Sequence, residues 1–315
     1  MKAVITGGAG FIGSHIAEAL CRQGADVVVV DNLSLGKTHN LLPAKSAGSG
    51  SLDFVEGDAG DEILMRKLVA GADWVFHEGA MPSVPRSVSQ PIESNQHNLD
   101  ATLKLLVVAR DAKVKRFLFA SSSSIYGDVD VQYKHEALPP NPLSPYGLQK
   151  YAAEKYCQLF HKLYGLPTVA LRYFNVFGPR QAFDSPYSGV IAKFCTAMLK
   201  GEAPVVFGDG LTSRDFTYID NVVSANLLAA AAAPESVAGR VFNVAAGQSI
   251  TLLDLVNELN RLTGQSLAPR LDPPRVGDIR SSLADISAAK AAFDFKVKVD
   301  FSEGLARTLD FYRTV

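Results

Sequence analysis

The sequence predicts an α/β protein whose doubly wound parallel sheet has helices on both faces, followed by a smaller mixed α/β region. In the first half, short apolar runs alternate with longer amphipathic runs. A glycine-rich segment separates the first apolar run from the first amphipathic one, and the regular alternation fades after about residue 173. Alternating strands and helices are typical of a parallel sheet covered on both faces. We therefore predict one domain at 1–173 and a second region at 174–315.

The elements of the first half follow from hydrophobic periodicity and from start signals. Short runs rich in β-branched residues predict strands, and longer amphipathic runs predict helices. Ser144 is a candidate N-cap, with Pro145 at the first helical position. The predicted strands are 2–6, 26–30, 52–56, 73–77, 115–121 and 167–172, and the predicted helices are 11–23, 60–71, 92–112 and 146–164.

The second half predicts shorter and less regular elements. Residues 178–189 form a loop rich in Gly, Pro and Ser, and 241–247 is a candidate strand returning to the main sheet. The other predicted elements are a helix at 189–200, a strand at 204–207, a turn at 208–210, a strand at 215–219 and helices at 221–233, 252–263, 285–293 and 302–313.

Composition excludes several classes of function. Among 315 residues, 47% are apolar, and the net charge is −1. This supports a sizeable core and gives no electrostatic reason to expect nucleic acid or an anionic membrane surface as a partner. The apolar runs are shorter than the ~20 residues that span a bilayer.

Cysteine and histidine spacing indicates an intracellular protein without a metal site. Cys21, Cys157 and Cys195 are far apart and form no CxxC motif, so we expect a reducing cytoplasmic location. The six histidines show no metal-ligand spacing, so we assign no metal. A strand at 2–6 leaves no room for a signal peptide.

The segment between the first strand and the first helix predicts a dinucleotide site. Gly8 to Gly13 fits GxGxxG, and Gly7, Gly10 and Gly13 also fit GxxGxxG. Such glycines let the backbone approach a pyrophosphate at a helix N-terminus. The alternative is a tight strand–helix turn without a ligand.

Two aspartates extend this prediction. Asp31 ends the second strand, eighteen residues after Gly13. A carboxylate there accepts hydrogen bonds from a ribose 2′-hydroxyl and repels a 2′-phosphate, which favours NAD over NADP. The alternative is a turn-forming Asp before Asn32. Asp58 either contacts the adenine or is a helix N-terminal residue.

A tyrosine and a lysine four residues apart indicate proton transfer. Tyr146 and Lys150 lie one turn apart on one face of the predicted helix. An ammonium group near a phenol is expected to lower the phenol pKa towards the working pH. Ser122, at the end of the preceding strand, would hydrogen-bond the same substrate hydroxyl. These groups indicate hydride chemistry at an alcohol carbon.

With these motifs the chain resembles the extended short-chain dehydrogenase/reductase family, and within it the UDP-hexose 4-epimerases. The resemblance covers essentially the whole chain and, beyond the motifs above, includes the segments 77–80, 172–180, 213–220 and 275–280. It implies a Rossmann-type fold with Ser122, Tyr146 and Lys150 as catalytic residues. It also implies that NAD is bound by Gly7, Gly10, Phe11, Ile12, Gly13, Asp31, Asn32, Asp58, Ala59, Ala80, Tyr146, Lys150 and Tyr173.

The resemblance also implies the residues that bind the nucleotide sugar. Arg214 and Arg275 would bind the UDP diphosphate, for which guanidinium groups are suited. The alternative for each substrate residue is a surface ion pair or a cap. The remaining candidates are Phe207 beside uracil, Asp278 at a ribose hydroxyl, Asn175 at a phosphate or sugar hydroxyl, and Ser83, Ser122 and Ser123.

One position in this resemblance concerns substrate size. Counting four residues from Asp278 gives Ser282. The 4-epimerases that are restricted to UDP-Glc and UDP-Gal carry Tyr at this position. Pro82 and the segment 83–87 resemble the members that accept N-acetylated sugars. The resemblance therefore implies that both UDP-Glc/UDP-Gal and UDP-GlcNAc/UDP-GalNAc are substrates.

Two further serines argue against related reactions. Sugar-nucleotide 4,6-dehydratases carry an Asp-Glu pair where this chain has Ser123 and Ser124. Hydroxyl groups are poor acids and bases at neutral pH, so dehydration is disfavoured. Decarboxylases of UDP-glucuronate usually carry Glu at the position of Ser124.

The expected function is reversible C4 epimerisation of UDP-hexoses with NAD. Four alternatives stay open: a net NAD-linked oxidoreductase acting on a nucleotide sugar, a UDP-glucuronate 4-epimerase, a decarboxylase and a non-catalytic NAD-binding regulator. The helices at 92–112 and 146–164 resemble those that form the dimer interface of the family, which implies a homodimer. Glu78, Arg280 and the loop 182–189 have no role assigned from the sequence.

Overall fold

The computed structural model describes residues 1–183, 189–274 and 280–314. The strands of the first half follow the predicted alternation with helices. The strands are β1 (Lys2–Thr6), β2 (Asp26–Asp31), β3 (Ser51–Glu56), β4 (Trp74–His77), β5 (Arg116–Ser122), β6 (Thr168–Tyr173), β7 (Val176–Phe177), β8 (Val205–Phe207), β9 (Ser213–Arg214), β10 (Thr217–Tyr218), β11 (Arg240–Val244), β12 (Ile250–Thr251), β13 (Arg270–Asp272) and β14 (Ser281–Ser282). In the C-terminal half, β7, β12, β13 and β14 were not predicted.

The helices connect these strands. They are α1 (Phe11–Arg22), α2 (Leu42–Lys45), α3 (Glu62–Val69), α4 (Val84–Ser89), α5 (Pro91–Asn95), α6 (Ala101–Asp111), α7 (Pro145–Tyr164), α8 (Val190–Leu199), α9 (Ile219–Ala231), α10 (Pro234–Val237), α11 (Leu252–Thr263), α12 (Ser287–Phe293) and α13 (Phe301–Tyr312).

The centre of the fold is a seven-stranded parallel sheet in the order β11-β6-β5-β4-β1-β2-β3. Alternate residues of each strand point to opposite faces. On β1, Ala3 and Ile5 pack into the core beneath α1 and α9, whereas Val4 packs into the core beneath α3, α6 and α7. Both faces are thus covered, which confirms the predicted Rossmann-type fold.

The C-terminal half contributes to this sheet as well as to the smaller region. β11 pairs in parallel with β6, with Phe242 opposite Leu171. Helix α9 packs against α1 and lies with it on one face of the main sheet, most of whose strands come from the first half. The division at 173/174 stays a prediction, because elements from both sides of it share one core.

Two predicted elements differ from the structure. The predicted strand 215–219 is confirmed only at β10, Thr217–Tyr218: Asp215 lies in the gap between β9 and β10, and α9 begins at Ile219. The buried Asp215 carboxylate accepts hydrogen bonds from the amides of Ala246, Gly247 and Ala284, so it ties loops together at the point where the chain leaves β9. The predicted helix 92–112 is divided into α5, a π-helical turn and α6.

Helix α7, which carries two predicted catalytic residues, is fixed at its start and in its middle. The Ser144 side chain accepts a hydrogen bond from the Gly147 amide, which confirms the N-cap. One turn after Lys150, the buried Glu154 carboxylate accepts hydrogen bonds from Arg172 at 2.6 and 2.9 Å and from Ser121 at 3.0 Å. This buried ion pair joins α7 to β6 and β5, and so fixes the face of α7 towards the sheet.

Candidate active site

A cavity of about 870 Å³ lies at the carboxyl ends of the sheet strands. Its wall contains residues that directly follow β1 to β5, and Tyr173 and Asn175 at the end of β6. Doubly wound sheets bind their ligands in the crevice at this edge. The second wall is built from the C-terminal half, which contributes Arg214 and Ser282.

Most of the predicted site residues meet in this cavity. Ser83 and Phe207 are not part of its wall: Ser83 caps α4 by accepting the Arg86 amide, and Phe207 ends β8. Arg275 and Asp278 lie outside the described residues. The predicted residues in the wall are Gly7, Gly10, Phe11, Ile12, Gly13, Asp31, Asn32, Asp58, Ala59, Ala80, Ser122, Ser123, Tyr146, Lys150, Tyr173, Asn175, Arg214 and Ser282.

The glycine-rich turn has the close packing that a dinucleotide site needs. Gly7 has φ +66°, and a Cβ there would lie 2.6 Å from the Gly79 nitrogen. A Cβ on Gly13 would lie 2.4 Å from the Gly7 carbonyl oxygen. Helix α1 begins after Gly10 without a side-chain cap. Its first N–H groups are therefore available to an anionic ligand, so the turn fits the pyrophosphate of NAD.

Asp31 has the position that both of its sequence interpretations require. Its carboxylate accepts hydrogen bonds from the Leu33 amide at 2.8 Å and from the Ala9 amide at 3.0 Å. It therefore forms the turn, and it also faces the cavity, where its oxygens can accept from a ribose. Burial raises the Asp31 pKa, and the amide hydrogen bonds oppose this rise.

Asp58 supports the same end of the cavity. Its carboxylate accepts from Asn32 Nδ2 at 3.1 Å and from the Gly60 amide at 2.7 Å. The interpretation of Asp58 as a helix N-terminal residue is wrong, because Asp61 is the N-cap of α3.

Ser122, Tyr146 and Lys150 converge at the end of β5. Lys150 Nζ donates to the Ala120 carbonyl at 2.7 Å and lies 5.9 Å from the centre of the Tyr146 ring. Ser122 Oγ accepts from the amide and from the hydroxyl of Ser124. The Ser122 side chain also acts on the Tyr146 hydroxyl and lowers its pKa. A serine and a tyrosine hydroxyl thus face one point of the cavity, where a substrate hydroxyl would meet both.

The expected effect of Lys150 on the pKa of Tyr146 is wrong for this structure. Desolvation raises the pKa of Tyr146 to about 12, Ser122 opposes the rise and Glu78 adds to it. The side chains that act on the Tyr146 pKa are Ser122 and Glu78, while the Lys150 ammonium donates to the Ala120 carbonyl. Desolvation instead lowers the pKa of Lys150 to about 8, against the opposing charge of Glu78.

The side of the cavity formed by the C-terminal half is held together by short strands. β14 pairs in parallel with β9 and places Ser282 beside Arg214. The Arg214 guanidinium donates to the Ser213 carbonyl at 2.8 Å and faces the cavity. Ser282 is buried at the wall and presents a small side chain there. Asp215, by binding the Ala284 amide, fixes this pair of strands.

Lys134 is a cavity residue that the sequence did not predict. It is buried, and its Nζ donates to the Gly127 carbonyl at 3.1 Å. Its backbone pairs with the segment that follows β14. Desolvation lowers the Lys134 pKa. No periodicity in the loop before α7 marked this position, because its burial depends on contacts with residues 283–285.

Within the described ranges, no three His, Cys, Asp or Glu side chains are grouped so as to hold a metal ion. Over the same part of the chain, no helix has both the length and the apolar character needed to cross a membrane.

Comparison with known proteins identifies the family. A model of the NAD dependent epimerase/dehydratase family matches residues 3–245. The chain belongs to this family. This confirms the family resemblance that the motifs indicated. The fold is also similar to solved structures of UDP-sugar epimerases.

Three solved structures of this family are similar over nearly the whole chain. UDP-N-acetylglucosamine 4-epimerase from Methanobrevibacter ruminantium is 41% identical with a TM-score of 0.93, and the match covers 99% of this chain and 98% of that one. UDP-glucose 4-epimerase from Thermotoga maritima is 39% identical with a TM-score of 0.92, covering 100% and 99%. UDP-glucuronic acid 4-epimerase from Bacillus cereus, solved with UDP-glucuronic acid and NAD, is 32% identical with a TM-score of 0.90, covering 100% and 99%.

Proposed function

We propose that this protein catalyses the NAD-dependent, reversible epimerisation of UDP-hexoses at C4. The observation that carries the proposal is the convergence of Ser122, Tyr146 and Lys150 at the end of β5, opposite Arg214 and Ser282. The similar 4-epimerases support it, and so does the glycine-rich turn, whose shape fits NAD. The absence of carboxylates at Ser123 and Ser124 disfavours dehydration and decarboxylation.

The residues of the chain supply acid–base chemistry and orientation. NAD held at the glycine-rich turn and Asp31 would supply a reversible acceptor for the C4 hydride. Tyr146, as phenolate, removes the proton of the 4-hydroxyl, and Ser122 orients that oxygen. Arg214 holds the diphosphate, so that the 4-keto hexose turns within the cavity while the nucleotide stays in place. Tyr146 then returns the proton to the same oxygen, and no net oxidation occurs.

One product analysis separates this function from its alternatives. The purified protein is incubated with UDP-Glc, UDP-Gal, UDP-GlcNAc, UDP-GalNAc and UDP-GlcA without added cofactor, and the products are resolved by HPLC. We expect C4 epimers of at least one neutral pair. A UDP-pentose formed from UDP-GlcA would indicate a decarboxylase. In a second incubation with excess NAD, accumulation of NADH would indicate a net oxidoreductase. Inertness towards every sugar would favour the non-catalytic regulator.

We predict that NAD, rather than NADP, co-purifies with the protein. Asp31 repels a 2′-phosphate, and a cofactor regenerated in every turnover has no need to dissociate. Asp31→Ala should relax the preference for NAD. Nucleotide released by acid and separated by HPLC measures both outcomes. Asp53→Asn, an exposed carboxylate on β3 outside the cavity wall, is the control. NADP in the wild-type protein would contradict the assignment of Asp31.

We predict that Ser282 sets the size of the hexose that the cavity accepts. Ser282→Tyr should lower kcat/KM for UDP-GlcNAc and UDP-GalNAc by about 10–200-fold, because an acetamido group would be forced against the new ring at a cost of about 1–3 kcal/mol. Turnover of UDP-Gal should persist. Ser281→Tyr is the control, since Ser281 is exposed on the opposite side of β14. Equal losses for both sugar pairs would reject Ser282 as the size-determining residue.

We also propose a homodimer formed through the α5–α7 face. Helix α7 presents Leu148, Leu159 and Leu163 with exposed fractions of 56%, 46% and 63% on one side, and Ile92 of α5 is 76% exposed. Apolar surface of this kind marks association faces. Light scattering coupled to size-exclusion chromatography measures the mass directly, and a monomer would reject the proposal.

A further inference from the structure

Glu78 is a carboxyl group of the cavity wall that the proposed mechanism does not use. It directly follows β4, and its amide donates to the Thr6 carbonyl at 3.2 Å. Its side chain reaches Tyr173 at the end of β6, so it crosses the end of β5 that lies between these strands. Glu78, Tyr146 and Lys150 therefore face the same part of the cavity.

The hydrogen bonds around Glu78 accommodate two protonation states. Glu78 Oε1 lies 2.9 Å from the Tyr173 hydroxyl, which also lies 2.8 Å from Asn226 Nδ2 and 3.2 Å from Asn226 Oδ1. When Glu78 is ionised, Asn226 Nδ2 donates to Tyr173 and Tyr173 donates to Glu78. When Glu78 is protonated, it donates to Tyr173, and Tyr173 donates to Asn226 Oδ1. Asn226 Nδ2 keeps the Val222 carbonyl as a partner in both states.

Among the described residues, the groups that act on Glu78 come from three elements. Helix α7 contributes Lys150 and Tyr146, β6 contributes Tyr173, and α9 contributes the neutral Asn226. Desolvation raises the pKa of Glu78 to about 7, while Tyr173 and Lys150 oppose the rise.

His77, the chain neighbour of Glu78, adds no charge. Its ring bonds Thr6 and Thr102, and burial lowers its pKa to about 3. The charge on Glu78 therefore acts mainly on the pair in α7.

We propose that Glu78 exchanges a proton with the cavity that it lines, that the Tyr173–Asn226 network accommodates both of its protonation states, and that its charge acts on Tyr146 and Lys150. It is a positioning residue, because it acts through these two side chains. The exchange itself rests on the place of Glu78 in the cavity wall and on its hydrogen-bond network. Its consequence for turnover rests on the proposed epimerisation.

The sign of the effect follows from the charges. Ionised Glu78 raises the pKa of Tyr146 because it repels the phenolate, and it raises the pKa of Lys150 because it attracts the ammonium. Removing this charge lowers both pKa values. The phenolate of Tyr146 and the ammonium of Lys150 are the working forms. Both the rise and the fall of activity with increasing pH should therefore occur at lower pH when the charge is removed.

The first test is the pH dependence of kcat/KM for UDP-Gal. Glu78→Gln keeps the shape of the side chain and removes the charge. Both limbs of its profile should move to lower pH by about one unit, the size of shift that a neighbouring charge produces. Glu78→Asp should retain the wild-type limbs. Glu93→Gln is the matched control, since Glu93 lies in the same wall but its side chain is 44% exposed. Unmoved limbs in Glu78→Gln would overturn the coupling.

The second test needs neither substrate nor turnover. In pH-difference infrared spectra, the carbonyl band of a protonated carboxylic acid should titrate near neutral pH in the wild type. The Glu78 component of this band should be absent in Glu78→Gln and present in Glu93→Gln, while Asp215, whose pKa burial raises to about 6, should keep its own component in every variant. Tyr173→Phe should move this titration to higher pH, because Tyr173 lowers the Glu78 pKa. If Glu78→Gln fails to fold, this shift tests whether Glu78 exchanges the proton. A component that still titrates near pH 7 in Glu78→Gln would overturn the proton exchange, whereas loss of the epimerase assignment alone would leave this test intact.

Discussion

Tyr146→Phe is expected to lower kcat by about 10²–10⁴-fold, which is the contribution of a general acid–base group. The substitution removes the hydroxyl that faces Ser122 and keeps the ring beside Lys150. Because the shape of the cavity is retained, binding of the nucleotide sugar should survive. The loss corresponds to about 3–5 kcal/mol in the activation free energy. Steady-state kinetics with UDP-Gal, together with calorimetric binding of UDP, separate turnover from affinity.

Tyr164→Phe is the matched control for this substitution. Tyr164 ends the same helix and is 53% exposed, outside the cavity wall. It loses the same atom without touching the proposed chemistry, so its kcat should match that of the wild type. A Tyr146→Phe variant with nearly wild-type kcat would show that another group moves the proton.

Glu154→Gln is expected to lower the free energy of unfolding by about 3–5 kcal/mol, the cost of breaking one side of a buried ion pair. Glu154 and Arg172 are almost fully buried, with side chains 1% and 4% exposed. The amide leaves the Arg172 guanidinium without its counter-charge in the core. Arg172 also lies over the Tyr126 ring at 4.7 Å, a contact that does not neutralise it. Denaturant titration followed by circular dichroism measures the change.

Two further variants test whether the loss of stability comes from an unpaired buried charge. Glu62→Gln breaks the exposed pair with Arg66 and should change stability by about 1 kcal/mol or less. The double substitution Glu154→Leu with Arg172→Met removes both charges, and it should recover stability relative to Glu154→Gln. If Glu154→Gln and Glu62→Gln cost the same, the buried pair would not fix α7 against the sheet.

The sequence alone determined the elements of the sheet and the residues that follow its strands. Periodicity identified the strands and the longer helices of the first half to within two residues, apart from the interruption between α5 and α6, and it missed the short helices α2 and α4. The motifs identified the family, because glycine spacing and the Tyr146–Lys150 pair depend on local geometry. Sequence periodicity fails at Asp215, where it predicts a strand. The Asp215 carboxylate instead accepts hydrogen bonds from amides of loops that are distant in the chain.

Only the tertiary structure decided the electrostatics of the site. A spacing of four residues placed Lys150 beside Tyr146 on α7, but its ammonium donates to the Ala120 carbonyl, which belongs to β5. Glu78 gained its partners Tyr173 and Asn226, and Lys134 its place in the wall, from segments far away in the chain. The reason is physical: proton affinity depends on burial and on neighbouring charges in space, and a sequence specifies neither before the chain has packed.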